Sequence, residues 1–548
     1  MDFFPKTNST DYIFLKQVLK DLKKNLTFCL NKTHDKKFPK NFWEILFFDW
    51  LWWYVRIVFY AWKLSSLRKK NIFKISHNFN NDNIYIQNLR EYYKSDFFLN
   101  FLVKDVILWK KKLYYYNGNI KKNIKPENFF FYKQDILKKV FLFLLKNFLR
   151  FFPIMNYDTI FLKSAFERKF IKKNFGYKFV INSFYYLIAN YLNTLIVNLE
   201  KKDFEKREIF YDILKKKKIK KEKFQEFLYY RISRDIPSFL LEDFKNYYSK
   251  TRDIFKCNKI ISSYIFYDIN SYIKFWYARQ VLNGSKAIYL DHGGTFSQKS
   301  YYPPGIFDLS LTWSKPKKKK DIQIPFNPIL QKYENFVYKN KPIKKNLGVF
   351  LRTSSNITYL WNLGTSRDNS FETFEMFRNL KLFLSKDITK NLLFKYKNEF
   401  FIKKKVFNPY NQYKKLFGNK CFYNLKNSYK TNQGDFLNKC RIIISVYPET
   451  TICETIALGI PTICFFNYSY KHFYKRDLDM IKKFEDVGIF FKCPKKLAFH
   501  LNKVWDKPDL WFKSPEVTKV LEIFKNYYLG INKKKEIFYL KDWKKILY

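Results

Sequence analysis

The sequence lacks the cysteine pairs that build zinc knuckles and disulfide frameworks. Its seven cysteines include no C-x-x-C pair and are scattered over positions 29, 257, 421, 440, 453, 464 and 493. Disulfide-stabilised and structural-zinc folds place cysteines at close, paired spacings. The scatter argues against both kinds of fold and suits a reducing cytosol, so we expect a cytoplasmic protein.

Three common catalytic signatures are also missing. The chain contains no G-x-S-x-G, no Walker lysine loop and no G-x-G-x-x-G, which disfavours hydrolase, kinase-like and dinucleotide-binding interpretations. Asp477-Leu-Asp479 spells D-x-D, but the pattern around it is helical, so we expect a solvated helix face there rather than a metal site. The sequence therefore predicts neither a metal nor a cofactor.

A secretory signal is not expected, because the N-terminus, MDFFPKTNSTDY, has no basic segment followed by an apolar run. The longest uncharged stretch, 179–199, carries four asparagines whose amides would be costly in lipid. A second apolar stretch, 42–64, is interrupted by Glu44, Asp49 and Arg56. We expect buried helices of a soluble domain in both places, and an interfacial helix is the alternative for the second.

Acidic residues are scarce. The chain has 48 Asp and Glu against 104 Lys and Arg, a formal charge of +56, which invites a nucleic-acid interpretation. Only 15 of the basic residues are arginine, the residue that phosphate and base-edge readers favour. Lysine and the other abundant residues have A/T-rich codons, so genome composition explains the charge better. We expect no specific nucleic-acid partner, and a non-catalytic protein binding nucleic acid or anionic membrane remains the alternative from another class.

Apolar periodicity divides the chain into unlike parts. Residues 1 to about 250 have mostly helical patterns. From residue 259, KIISSYIF, a helix closed by Gly284 and KAIYLDHGG predict a βαβ unit, whose second strand carries Asp291 and His292 to its carboxyl end. The proline- and lysine-rich segment 313–345 is typical of a linker.

Strands and helices alternate again after residue 345. The strands are NLGVFLR, NLLFKY, RIIISVY and PTICFF, the helices are SFETFEMFRNLKLFLS and TTICETIALG, and two or three helices follow. Such alternation predicts a parallel sheet covered by helices. The fold class is therefore α/β, with two Rossmann-like domains and a helix-rich N-terminal portion, divided as 1–312, a linker over 313–345, and 346–548.

The most regular unit is 441–467, RIIISVYPETTICETIALGIPTICFFN. Thr451 and Glu454 have the spacing of a capping box, which needs no ligand. The same geometry leaves first-turn N–H groups beside the hydroxyls of Thr450 and Thr451, an arrangement suited to phosphate, with Glu454 as an acceptor for ribose hydroxyls. The two interpretations are compatible.

Several stretches resemble a family of bacterial surface-carbohydrate transferases with a GT-B-like fold, distantly similar to capsule polysaccharide and CDP-glycerol transferases. They are NFWEILFFDWLWWYVRIVFYAW, WYARQVLNGSKAIYLDHGG, SVYPETTICETIALGIPTICFFN and FEDVGIFFKCPKKLAFHLNKVWDKPDLWF. The resemblance implies an acceptor-side domain over 1–312 and a donor-binding domain over 346–548. The chain departs from the family pattern at Asp291, usually Gln, and at Tyr396-Lys397, where relatives carry Tyr-Pro.

The resemblance also implies a function. A sugar or sugar-like group would move from a nucleotide-activated donor to a glycan or lipid-linked acceptor, a precursor of LPS O-antigen or capsule, with peripheral association at the inner membrane. A CDP-polyol phosphotransferase is the enzymatic alternative. We expect His292 to act as general base or phosphate contact. The expected donor-binding residues are Gly293, Gly294, Thr450, Thr451, Glu454 and Lys395.

Overall fold

The computed structural model describes most of the elements that the sequence predicts. It covers residues 9–67, 96–110, 155–162, 203–217, 223–251, 255–262, 271–291, 306–316, 319–324, 345–351, 367–396, 409–423, 433–447, 450–467 and 475–531. The chain separates into two compact units, one drawn mainly from residues before 289 and the other mainly from residues after 308. The stretch 179–199 and the segment from His292 to Gly294 lie outside the described residues.

Helices dominate the first unit. They are α1 (Ser9–His34), α2 (Lys40–Leu67), α3 (Asp96–Lys110), α4 (Phe204–Lys215), α5 (Lys223–Asp235), α6 (Phe244–Lys250) and α7 (Ser271–Leu282). Helix α2 contains the apolar stretch 42–64, and its Trp43, Trp50 and Tyr54 are fully buried. The Asp49 carboxylate on α2 lies 2.5 Å from the Lys274 ammonium on α7, and such pairing offsets the cost of burying a charge. The predicted core helix is therefore confirmed.

The long apolar stretches of the sequence raised the question of whether any helix could span a membrane. Among the residues described, no helix combines the length and the apolar character needed to cross a bilayer.

The first sheet has five strands in the order β1-β2-β3-β4-β5. They are β1 (Met155–Leu162), β2 (Phe255–Ser262), β3 (Lys286–Leu290), β4 (Leu309–Thr312) and β5 (Asp321–Gln323). The β2-α7-β3 unit confirms the predicted βαβ, and Gly284 closes α7 with a φ of 99°. Strand β1 lies in the part of the chain where the sequence pattern predicted mostly helices, and this strand was not predicted. Strand β5 lies inside the segment predicted to be a linker.

The second sheet has the order β10-β9-β8-β6-β7, and every neighbouring pair is parallel. Its strands are β6 (Asn346–Leu351), β7 (Leu392–Tyr396), β8 (Cys440–Ser445), β9 (Thr462–Phe465) and β10 (Phe490–Phe491). Its helices are α8 (Arg367–Lys381), α9 (Lys386–Lys390), α10 (Tyr410–Phe417), α11 (Gln433–Lys439), α12 (Thr450–Ala457), α13 (Lys475–Asp486), α14 (Pro494–Val504), α15 (Pro508–Phe512) and α16 (Pro515–Phe524), followed by a π-helix, Lys525–Leu529.

Two parallel sheets with many helices confirm the α/β class. Within the described residues after β9, up to residue 531, four helices and a π-helix occur where two or three helices were expected. Strand β10 was not predicted either, and its two residues are too short to carry a periodic signal.

Helices cover the second sheet on opposite faces. One face packs Val349, Ile442 and Ile444 against Phe377 of α8 and Leu501 of α14. The buried residues of α12 do not belong to this cluster. Since side chains alternate along a strand, α8 and α12 lie on different faces.

Candidate functional site

Strand order reverses in the middle of the second sheet. Along the chain, β7 is added on one side of β6, and then β8, β9 and β10 are added on the other side. Helix α8 follows β6 on one face, and α12 follows β8 on the other. Elements that leave neighbouring strands on opposite faces open a crevice at the carboxyl ends of those strands, the usual place for a ligand in such sheets. The carboxyl ends of β6 and β8 are therefore the candidate site.

A hydrogen bond fixes the start of the turn after β8. The Ser445 hydroxyl donates a hydrogen bond of 2.8 Å to the carbonyl of Tyr447, and Ser445, Val446 and Tyr447 are all buried. This local bond fixes the direction in which the chain leaves β8. The turn brings the partly exposed Thr450 to the first position of α12.

The structure does not form the predicted capping box. A capping box needs Thr451 just outside the helix and Glu454 at its third position. Helix α12 instead begins at Thr450, which makes Thr451 its second residue and Glu454 its fifth. Thr451 is buried within the first turn, where helix N–H groups lack partners along the helix. The anion-binding part of the prediction does not depend on the box.

Glu454 is only 4% exposed, and it interacts with other groups of the protein. Burial raises the pKa of the adjacent Cys453 thiol, and the Glu454 carboxylate raises it further. Burial likewise raises the pKa of Cys464 on β9. Both thiols are therefore protonated at neutral pH and are poor nucleophiles. The Glu454 side chain is therefore mostly enclosed by the protein, and only a small part of it is exposed.

Lys395 lies on β7, in register with Phe350 of β6, which is itself in register with Ser445 of β8. Its ammonium is 5.0 Å from the ring centroid of Tyr423 and 5.6 Å from that of Phe436. Since β6 separates β7 from β8, Lys395 and the turn are two strand spacings apart, about 10 Å. The structure places Lys395 on the same edge as Thr450 without bringing the two into contact.

Two polar residues that the sequence did not indicate meet at this edge. The Asn467 amide, after β9, donates a hydrogen bond of 2.7 Å to the carboxylate of Glu372 on α8. Strands β6 and β9 flank β8, so this bond links the elements that follow them across the end of β8. Both side chains are exposed. A polar residue directly after a strand was the available signal for Asn467, whereas Glu372 lies within a helical pattern.

His292, Gly293 and Gly294 lie outside the described residues, and Asp291 is the last residue described before them. Its backbone N–H donates to the carbonyl of Leu311 at 2.9 Å, and its carboxylate accepts a hydrogen bond of 3.2 Å from the backbone of Trp313. Asp291 therefore joins the ends of β3 and β4.

The D-x-D motif, Asp477 to Asp479, has a different role from the solvated helix face that was expected. Asp477 is fully buried rather than solvated, whereas Asp479 is exposed. The Tyr528 hydroxyl of the π-helix donates to the Asp477 carboxylate at 2.7 Å, because burial together with that carboxylate raises the pKa of Tyr528 and keeps it protonated. Asp477 thus ties α13 to the π-helix Lys525–Leu529. In the described part of the chain, no group of three or more His, Cys, Asp or Glu side chains has the geometry of a metal site.

Comparisons with known proteins agree with the expected enzyme class. A family model described as LIC12162 family transferase matches residues 5–547. No curated protein matches the chain in sequence. Among solved structures, the wall teichoic acid polymerase TagF is 12% identical, with 53% of this chain and 73% of that chain covered and a TM-score of 0.28. A substituted form of TagF soaked with CDPG is also 12% identical, with 53% of this chain and 72% of that chain covered and a TM-score of 0.28.

Proposed function

The chain belongs to the LIC12162 family of transferases, and we propose that it moves a sugar or sugar-like group from a nucleotide-activated donor to a surface-glycan precursor. The precursor is a glycan or lipid-linked acceptor of the LPS O-antigen or capsule type. In this proposal each sheet with its helices is a Rossmann-like domain of a GT-B-like fold, and the domain of the second sheet binds the donor. Membership of a transferase family confirms the enzyme class alone, so donor and acceptor belong to the proposal.

The reversal of strand order between β6 and β8 is the observation that carries the proposal. It marks the carboxyl edge where a parallel sheet binds nucleotides. The turn beyond β8 leads into the first turn of α12, whose backbone N–H groups suit a diphosphate. Thr450 and Thr451 add two hydroxyls at the same place. No other carboxyl edge of the described strands combines a reversal with such a turn.

Each remaining residue has a proposed task. Glu454 accepts hydrogen bonds from the donor ribose, and Lys395 neutralises phosphate charge from the neighbouring part of the edge. His292 takes the proton from the acceptor hydroxyl, because the ordinary pKa of histidine, about 6.5, suits a general base near neutral pH. Gly293 and Gly294 let the backbone approach the donor closely.

A nucleotide screen tests donor binding. CMP, CDP, UDP and GDP are added separately to the full chain, and the unfolding midpoint is measured. A ligand of the folded state at about 100 times its Kd stabilises that state by about 2.7 kcal/mol, so one nucleotide should raise the midpoint clearly. A preference for CDP would favour the polyol-phosphate alternative, since the same turn would hold its diphosphate. If none of the four nucleotides raises the midpoint, the proposal fails.

A matched pair of threonine variants locates the site. Thr450→Ala removes a hydroxyl that would bond to a charged phosphate, which is worth about 1.5–3 kcal/mol, so nucleotide affinity should fall about tenfold or more. Thr518→Ala removes an exposed threonine of α16 and should leave the affinity unchanged. Equal affinities for both variants would place the nucleotide elsewhere. A salt series adds a further check, because counterion release predicts steep salt dependence only for a nucleic-acid binder.

A further inference from the structure

Large apolar side chains are exposed at the end of α8 and on α14. Leu382 is 73% exposed and Phe383 is 39% exposed, directly after α8, and Phe499 on α14 is 58% exposed. Isolated exposed apolar residues are common on protein surfaces, whereas contiguous ones mark an interaction site. Whether these three side chains form one continuous patch therefore decides whether they mark an interaction site.

Hydrogen bonds and one lysine join them. The Asn502 amide on α14 donates to the carbonyl of Phe383 at 3.0 Å, and its oxygen accepts from the backbone of Ser385 at 3.0 Å. The Lys495 ammonium lies 5.7 Å from the ring centroid of Phe383 and 5.9 Å from that of Phe499. One cation therefore lies close to both rings. We call Leu382, Phe383, Lys495 and Phe499 the Phe383–Phe499 patch.

The surroundings of this patch are basic. Over 382–390 and 492–507, the exposed charged residues are Lys386, Lys390, Lys495, Lys496, Lys503 and Lys507 against Asp387 and Asp506. Lysine stems lie along apolar surface while their ammonium groups remain in water. The patch is thus an apolar centre inside a positively charged rim.

We propose that the Phe383–Phe499 patch binds the surface of an anionic lipid bilayer. Apolar side chains that enter the headgroup region, together with lysines that contact anionic lipids, are the two components of interfacial binding. A second copy of this chain would bring two positive rims together. A nucleic-acid backbone would take the lysines but would not bury Leu382. The inference goes beyond the proposed function, and its test needs no turnover.

Vesicle sedimentation tests the proposal. The full chain is mixed with vesicles of phosphatidylcholine alone or of phosphatidylcholine with phosphatidylglycerol, and the bound fraction is measured. The wild type should bind the anionic vesicles, and added salt should weaken this binding. The variant Leu382→Ser/Phe499→Ser should bind about tenfold more weakly, because it loses the apolar groups that enter the bilayer. An unchanged melting temperature shows that the variant is folded.

A matched control separates this patch from exposed apolar residues in general. Ile13 is 66% exposed on α1 and Ile209 is 59% exposed on α4, and Ile13→Ser/Ile209→Ser should bind anionic vesicles as the wild type does. The proposal is overturned if the wild type binds neither vesicle or binds both equally. It is also overturned if the patch variant binds as the wild type does, or if the control variant loses binding equally.

Discussion

The two sheets differ in one property that composition does not show. In the first, the described strands follow one another in chain order, from β1 to β5. In the second, the order reverses between β6 and β8. A reversal sends the following helices to opposite faces and leaves the strand ends uncovered between them. This reversal is why we propose the donor site on the second sheet, and the described strands of the first sheet show no reversal.

The largest expected effect concerns the chemistry assigned to the first sheet. If His292, beyond the end of β3, is the general base, His292→Ala should lower kcat by about a hundredfold or more with little change in donor affinity. Steady-state kinetics and nucleotide titration measure the two quantities. His34→Gln is the control, because His34 bonds to the carbonyl of Leu240 at 2.9 Å in the first unit, and it should keep its turnover. Near-normal kcat with poor donor binding would make His292 a phosphate contact.

Acid should lower the stability of both units, because each contains a histidine whose pKa is lowered by burial. Burial lowers the pKa of His34 and that of His500 to about 4. Because these folded-state values lie below the ordinary 6.5, the unfolded chain binds more protons between pH 6.5 and 4, and stability falls as the pH falls through that window. Between pH 7 and 5, His34 should cost about 2 kcal/mol of unfolding free energy. The more exposed His500 should cost less.

Urea unfolding at the two pH values checks the histidine prediction. His34→Gln keeps a donor for the carbonyl of Leu240 without a titrating ring, so its stability should depend less on pH than that of the wild type. If the variant and the wild type lose equal stability on acidification, His34 does not contribute, and the prediction is wrong.

Glycines in the two regions should respond differently to an added methyl group. At Gly348 on β6, a Cβ would lie 2.5 Å from the Cys440 sulfur and 2.8 Å from Cδ1 of Ile443, whereas at Gly284 it would meet nothing within 4 Å. Gly348→Ala should therefore cost about 2 kcal/mol by overpacking. Gly284→Ala should cost about 1 kcal/mol, through backbone strain at its positive φ.

A double-mutant cycle with Cys440→Ala distinguishes these two causes. Removing the sulfur should recover part of the loss in Gly348→Ala and none of the loss in Gly284→Ala. Purely additive costs at Gly348 and Cys440 in urea unfolding would show that the packing of β6 against β8 is not as tight as described.

A smaller effect is expected at Glu454. Glu454→Gln keeps the shape of the side chain and replaces a charged acceptor of ribose hydrogen bonds by a neutral one, a difference of about 1 kcal/mol. Nucleotide affinity should fall about fivefold with little change in melting temperature. A lower melting temperature at unchanged affinity would instead give the buried carboxylate a purely structural role.

The smallest effect is expected where Glu372 and Asn467 meet. Asn467→Ala removes an exposed hydrogen bond to a carboxylate, so stability should fall by less than about 1 kcal/mol. If the pair borders the bound donor, nucleotide affinity should fall two- to threefold, measured by titration calorimetry. Asn502→Ala is the control, because Asn502 also bonds across elements of this unit and lies in α14. A loss of affinity in the control alone would remove the pair from the site.

The sequence predicts the elements that have strong local patterns. Strands β6 and β8 are apolar runs, and helix α12 lies between a turn and Gly459-Ile460-Pro461, so all three were found. Strand β5 has three residues among lysines and prolines, and β1 includes the polar residues Asn156 and Asp158. Neither stands out locally, because their strand character depends on pairing with distant segments.

The sequence pattern also did not predict several contacts at and near the site, because they join residues that are far apart in the chain. Glu372 and Asn467 are 95 residues apart, and the buried Asp477 accepts a hydrogen bond from a tyrosine 51 residues away. Periodicity reports on neighbours within a turn or two of the chain, so it cannot show which distant side chains meet. The charge of Asp477 also led to the wrong prediction of a solvated side chain, since acidic residues are almost never fully buried unless they are paired.

Hydrogen–deuterium exchange with and without the tightest nucleotide tests the central claim most directly. The account predicts slower exchange of the backbone amides over 445–457, in the turn after β8 and helix α12, because bound phosphate occupies the first-turn N–H groups. Amides of β1 and β2 should exchange at unchanged rates. Slower exchange in the first sheet, with no change over 445–457, would contradict the assignment of the donor to the strand-order reversal.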